Sequence, residues 1–325
     1  MIIYKTYSAV RPVSREVIED ALKNAQGKDI IFVAPEFAKA QVEREVLSFK
    51  QDQTRGNGTI NAGERTLTLS SSLVSGDVLS FRKLAGNILD DLGTNYVAEG
   101  GEILLRNAIY NILTKRKTEL KAFSTLSSRI DYINLMIALL GDFSRYGVDA
   151  EDIDKAITAL DKPETNVAFV NKLKDLRLIM NELEDLNKVH GLNLLREPIS
   201  LACDKLSSVT DGKRSIRRSS GLAAILKSKI VFIGFGSTRM LTPKELKLVS
   251  LFSDLGAEIE FNVLSGSSES RYSSVYKTGE DFITMIEGLG AKGSSLSLVE
   301  NSDALSLIVR SFAADTKSAG QELPG

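Results

Sequence analysis

Two short runs of this chain are apolar almost without interruption, residues 29–34 (DIIFVA) and 230–235 (IVFIGF). Runs of this kind read as strands covered on both faces, so they predict buried strands over Asp29–Ala34 and Ile230–Phe235. Glu258–Leu264 alternates polar and apolar, which predicts a strand with one polar face, nearer a sheet edge. Ile2–Ala9 reads as a further short strand, and Ser295–Val299 as another. Between the strands the apolar positions change to helical spacing. Helices are expected over Val13–Gln26, Lys39–Leu47, Arg82–Leu92 (entered through Val78–Phe81 and stopped by Gly93), Thr278–Leu289 and Ser302–Phe312. The helix before Glu258 has a complete start signal. Thr242 is the N-cap, Pro243 takes N1, Glu245 closes a capping box, Leu246, Leu248, Val249, Leu251 and Phe252 form the apolar face, and Gly256 ends it.

From residue 100 to about 206 no strand signal interrupts the helical pattern. Helices are expected at Glu102–Arg116, Ser127–Tyr146, Glu151–Leu160, Val167–His190 and Glu197–Leu206, with Ile103, Leu104, Ala108, Ile109, Ile112 and Leu113 showing the spacing well. The chain therefore divides into an α/β part at residues 1–95, with a polar Gly/Asn/Thr-rich loop or hairpin at about 51–70, an all-helical part at 96–208, and a return to the sheet at 209–325. That return begins with a basic linker, Val209–Leu222. The end, SFAADTKSAGQELPG, fades without a capping element, so the chain reads as part of a longer protein.

Composition mainly excludes. Of 325 residues, one is Cys (Cys203) and one is His (His190), so neither an intrachain disulfide nor a Cys/His zinc site nor a cysteine-ligated iron–sulfur cluster can be built. His190 is expected at a helix C-terminus, complementing the dipole, and Cys203 on an apolar helix face. Net charge is −1, so an attraction to nucleic acid would have to be local. No apolar run is long enough to span a membrane and no secretory leader is visible, so a cytoplasmic location is expected.

Several segments carry a family resemblance. Val33-Ala34-Pro35-Glu36-Phe37 followed by Glu43-Arg44-Glu45-Val46-Leu47, then Val78-Leu79-Ser80-Phe81-Arg82-Lys83-Leu84-Ala85, then Phe143-Ser144-Arg145-Tyr146-Gly147-Val148, and finally Ile233-Gly234-Phe235 with Leu241-Thr242-Pro243-Lys244-Glu245 occur in this order. In order and spacing they resemble the N-terminal region of AddB and RexB proteins, the B subunits of bacterial ATP-dependent helicase–nucleases. The resemblance implies a RecA-like, superfamily 1 helicase domain carrying a large helical insertion of the 1B type. It also implies an A-type helicase–nuclease subunit as partner, the single DNA strand leaving the motor as ligand, and a role in break repair and recombination. Magnesium and a 4Fe-4S cluster would belong to a C-terminal nuclease domain and not to these residues.

The departures bear on activity. A P-loop needs glycines, a Lys and a hydroxyl after the first strand, whereas Thr6-Tyr7-Ser8-Ala9-Val10-Arg11-Pro12 has no Gly, and Pro12 lacks an amide donor. The family's magnesium-ligating Asp corresponds to Ile233, which cannot ligate a cation. A silent motor fold is expected, with no catalytic, cofactor or metal residues in this chain. Two alternatives stay open: a nucleotide-dependent enzyme using Gly234–Ser237 as an atypical phosphate loop, with Lys244 and Glu245 nearby, and a purely structural interaction module.

DNA contact requires cations. The candidates are Lys213, Arg214, Arg217 and Arg218 in the linker, Lys115, Arg116 and Lys117 (with Lys121) at a helix end, and Arg271 with Tyr272 in a loop, where an aromatic can stack on a base. Basic residues also collect at helix C-termini and on solvated faces, and Tyr272 also reads as a loop anchor. The acidic groups Asp90-Asp91 and Glu151-Asp152-Asp154 sit on helices beside apolar positions and read as structural.

Overall fold

The fold is given by a computed structural model, which describes residues 1–7, 15–25, 27–56, 76–94, 101–125, 129–160, 166–190, 197–212, 215–216, 220–236, 240–264 and 273–295. The described residues form an α/β protein with one parallel six-stranded sheet and mostly helical content. Two compact units divide the chain: residues 1–84, 212–241 and 249–325 in one, 85–211 and 242–248 in the other.

The first unit holds the sheet. Its strands are β1 (Ile2–Tyr7), β2 (Ile30–Val33), β3 (Gly76–Leu79), β4 (Lys229–Phe232), β5 (Glu258–Leu264) and β6 (Lys292–Ser295), in the spatial order β3-β2-β4-β5-β1-β6. Every pairing is parallel, and Ile30 lies opposite Lys229, Lys229 opposite Glu258, and Ile259 opposite Ile2. On one face Phe32, Val231, Ile233 and Tyr7 pack with Val17, Ile18, Ala21 and Leu22 of α1 (Arg15–Lys23) and with Ala38, Val42 and Val46 of α2 (Glu36–Gly56). On the other, Phe232 stacks on Phe261 at 4.5 Å between ring centroids. Phe235 and Phe282 of α11 (Ser273–Glu287) meet this pair edge-on, and Phe81 packs on Phe232 at a tilt.

Several sequence expectations require correction. β5 is not near an edge: it lies between β4 and β1, and its polar positions Glu260 and Asn262 are buried. The reason is ionic, because Lys5 and Lys229 face Glu260 across the neighbouring strands. Of Val78–Phe81, expected to lead directly into a helix, Val78 and Leu79 belong instead to β3; Gly76 and Asp77 are weak strand formers, and the pairing with β2 decides. α2 begins at Glu36 and continues to Gly56, so the polar stretch expected from residue 51 starts inside a helix, and its remainder lies outside the described residues. Of the strand expected at Ser295–Val299 only Ser295 is described, as the last residue of β6 (Lys292–Ser295); residues 296–299 lie outside the described residues. The helix expected over Ser302–Phe312 lies outside the described residues.

The second unit is helical among its described residues. α4 (Gly101–Lys115), α5 (Ile130–Tyr146), α6 (Ala150–Ala159) and α7 (Val167–His190) share a core of Leu105, Ile109, Leu113, Ile133, Met136, Leu140, Ile153, Ile179 and Leu183. Gly147 closes α5 at φ 74°, a backbone region where a side chain is strained. Asp149 and Asp152 then open α6 with a reciprocal capping box. α8 (Pro198–Thr210) buries most of its length, Cys203 included, and runs further into the expected linker than Leu206.

The linker also ends early, since α9 (Gly221–Lys227) starts inside it, capped by the Ser220 hydroxyl. Between β3 and β4 the described residues contain helices α3 (Phe81–Asp91) to α9 and no strand. α10 (Pro243–Asp254) carries the expected capping box in full, with Thr242 N–H donating to Glu245 at 2.7 Å and Glu245 N–H donating to the Thr242 hydroxyl at 3.3 Å.

Candidate nucleic-acid interface

Of the basic candidates, Lys213, Arg214, Arg217 and Arg218, and likewise Arg271 and Tyr272, lie outside the described residues. Lys115, Arg116 and Lys117 are described, at the C-terminal end of α4. This helix turns Leu105, Ile109, Ile112 and Leu113 into the core. Ile103 and Leu104, which share the apolar spacing, are 60% and 45% exposed, so the buried stripe begins at Leu105. After α4 the chain turns sharply, and Leu120 and Phe123 return to the core.

A single carboxylate fixes that turn. Asp175 of α7 is 3% exposed and accepts the backbone N–H of Lys121 at 3.0 Å, of Ala122 at 2.7 Å and of Phe123 at 2.9 Å. A buried carboxylate is tolerated when several donors replace its water, and here three amides do so. Arg116 is engaged as well: its guanidinium meets Glu119 at 2.8 Å and, through Nε, Glu182 at 3.1 Å. Glu119 and then Glu182 raise its pKa further. Lys115, Lys117 and Lys121 are exposed. No ion pair holds any of the three among the described residues.

Sequence reasoning missed two residues here. Tyr110, 48% exposed, lies on α4 outside the core stripe. Its signal was its period: it falls out of phase with Leu105, Ile109, Ile112 and Leu113. Asp175 had no local signal, because its partners are 52 to 54 residues away.

The positions expected to matter for nucleotide chemistry are placed in part. β1 ends at Tyr7, and residues 8–12 lie outside the described residues. Ile233 follows β4, is fully buried in the core of α1 and α2, and donates its N–H to the Val33 carbonyl at 3.0 Å. Gly234 has φ 84°, while Ser237 lies outside the described residues. Glu245 is occupied by the Thr242 cap, and burial pushes its carboxyl upward. Lys244 lies against Gly147.

The remaining titratable candidates have structural surroundings. Cys203 donates its thiol to the Lys244 carbonyl at 3.2 Å, and burial pushes that thiol up to about 11. His190 is the exposed last residue of α7. Asp154 pairs with Arg177 at 2.8 Å, and Asp152 belongs to the α6 capping box. Among the described residues no group of three His, Cys, Asp or Glu side chains could hold a metal ion, and no helix is long and apolar enough to cross a membrane.

The sheet holds a buried ionic cluster on its α1 face. Lys229 lies 2.8 Å and Lys5 3.2 Å from one Glu260 carboxylate oxygen, Asn262 donates to the other at 3.1 Å, and Asp20 of α1 meets Lys5 at 2.6 Å. Burial works against the Lys5 ammonium, but Asp20 and Glu260 outweigh it and hold its pKa above the ordinary value. All four charges are matched within the cluster, so it ties β4, β5, β1 and α1 together and presents no net charge to a ligand.

Residues 11–194 match the family described as "ADDB, N-terminal". The B subunit of an ATP-dependent helicase/deoxyribonuclease from Clostridium kluyveri is 22% identical over 237 residues, covering 72% of this chain and 17% of the relative. Its namesake in Ruminiclostridium cellulolyticum is 23% identical over 288 residues, covering 84% of this chain and 22% of the relative. That of Heliobacterium modesticaldum is 25% identical over 169 residues, covering 52% and 12%. The chain thus spans about a fifth or less of the length of the curated relatives it matches.

Proposed function

The chain belongs to the ADDB N-terminal family, and from that premise we propose that it is the non-catalytic, helicase-like region of the B subunit of an ATP-dependent helicase/exodeoxyribonuclease. In this reading it acts in double-strand-break repair and recombination, docks on an A-type motor subunit and conducts the single strand leaving that motor. The sheet is then a RecA-like core, and the helical run between β3 and β4 is its 1B-type insertion. Parallel pairing throughout and the interior place of β1 support the assignment.

The observation that carries the non-catalytic reading is Ile233. It stands at the C-terminal end of β4, where ligands of open parallel sheets bind, and where a motor of this kind keeps a carboxylate for magnesium. Here the side chain is apolar and fully buried in the core. The sequence after β1 adds that no glycine loop follows and that Pro12 removes a donor. A four-cysteine cluster does not fit a chain with one Cys, so no iron–sulfur or nuclease chemistry is assigned to these residues.

Calorimetric titration with ATP and magnesium tests the reading. The expected outcome is no saturable heat at millimolar nucleotide, and tight magnesium-dependent binding contradicts it. Binding to single-stranded oligonucleotide that falls steeply with salt is expected in parallel.

A further inference from the structure

We infer that the end of α4 is a single-stranded nucleic-acid contact in which Lys115, Lys117 and Lys121 neutralise phosphates, Tyr110 stacks on a base, and Asp175 is the positioning residue that holds the turn. This deepens the function proposed above and rests on it.

Residues 115–121 contain four cations and one acid in a chain whose net charge is −1, so the segment is a local positive island. The structure divides these cations by task. Arg116 is bound by Glu119 and Glu182 and serves the fold. The same two carboxylates are thereby occupied, which leaves the three lysines exposed and unmatched among the described residues. A set of cations without counter-charge, beside acids already engaged, favours a polyanion over a protein surface.

The second observation is aromatic. Tyr110 precedes Lys117 by seven residues, and Lys117 lies in the turn that directly follows α4. Tyr110 stands five residues before Lys115, the last residue of α4, about 8 Å from it along the axis. No hydrogen bond of the Tyr110 phenol is found among the described residues, and the residue is 48% exposed. An exposed ring on a helix that leads into unmatched cations suits single strands, since every base offers a face to stack on and a duplex does not.

The third is rigidity. A lysine row on a mobile turn loses affinity to ordering, whereas Asp175 fixes the backbone at Lys121, Ala122 and Phe123 from a buried position. This 3%-exposed carboxylate directs its hydrogen bonds to the backbone of Lys121, Ala122 and Phe123, at the end of the basic segment, and to no cation.

Fluorescence anisotropy of a labelled oligothymidylate with the full chain, across a salt series, is the test. Replacing Lys115, Lys117 and Lys121 by Gln is expected to weaken binding at least tenfold at low salt and to flatten the log–log salt slope by about 2. Tyr110→Ala is expected to weaken binding about five- to tenfold with the slope unchanged. Asp175→Asn makes the chain more positive, which by charge alone strengthens binding, so a loss of affinity at retained circular dichroism reports positioning. Wild-type binding that survives the triple lysine change with the same slope overturns this site and leaves the proposed function standing. Unchanged affinity in Tyr110→Ala overturns the stacking. Absence of any binding by the wild-type chain at low salt overturns the function on which the site rests.

Discussion

Lys229 on β4 and Glu260 on β5 form an ion pair at 2.8 Å, with side chains 4% and 0% exposed. A charge pair so deep is held together by need, because each partner would be uncompensated without the other. Glu260 also holds Lys5 at 3.2 Å, so its carboxylate separates two ammonium groups. Glu260→Ala is therefore expected to lower stability by about 3–5 kcal/mol, as buried pairs do when one partner is removed. Paired replacement Lys229→Met with Glu260→Leu is expected to recover most of that loss, since Lys5 keeps Asp20 at 2.6 Å. Urea unfolding of the three proteins measures both. A Glu260→Ala midpoint equal to wild type contradicts the cluster's role.

The alkaline limb of stability follows from the same corner of the sheet. Lys5 and the buried phenol of Tyr7 both have pKa values raised in the folded state, Tyr7 by burial. For both, the stabilising contribution is complete below the unfolded value and is lost as pH climbs through the folded one. Stability is thus expected to decline from about pH 10 upward, and Tyr7→Phe to flatten that decline. Thermal melts between about pH 8 and 11 read the slope, and an unchanged slope in Tyr7→Phe contradicts the assignment.

Cys203 should be chemically silent. Its thiol is buried, donates to the Lys244 carbonyl, and is pushed up to about 11, so thiolate is scarce near neutrality. Labelling by a disulfide reagent at about pH 8 is expected to be slow in the native protein and complete in urea. Rapid native labelling would show that α8 opens.

How much of this was legible depended on whether the deciding interaction was local. The α10 start could be read because Thr242 and Glu245 are three residues apart, and β2 and β4 because both faces are apolar. β3 and β6 could not, since Gly76-Asp77 and Lys292–Ser295 carry little strand preference and gain their form only from β2 and β1. Alternation in β5 marks a strand but not its place in the sheet, which is interior. A polar stripe looks the same whether it meets water or Lys5 and Lys229. For the candidate site, the cations were visible as a run, but Glu182 lies 66 residues from Arg116, and no local pattern could show that this guanidinium is engaged.

At a glycine on α11 two effects of opposite sign compete. Gly279 sits inside the helix, so by propensity alone Gly279→Ala would stabilise by about 1 kcal/mol. A Cβ there would lie 2.5 Å from the Leu264 carbonyl oxygen at the end of β5, and that partner is backbone, which cannot swing aside. Overpacking of this kind costs about 1–3 kcal/mol, so the contact outweighs the propensity and the net effect is expected to be destabilising. Gly86, also helical but with nothing within 4 Å of an added Cβ, provides the control. Gly86→Ala is expected to raise the melting temperature while Gly279→Ala lowers it, and a rise in both would mean that α11 does not press on the strand end.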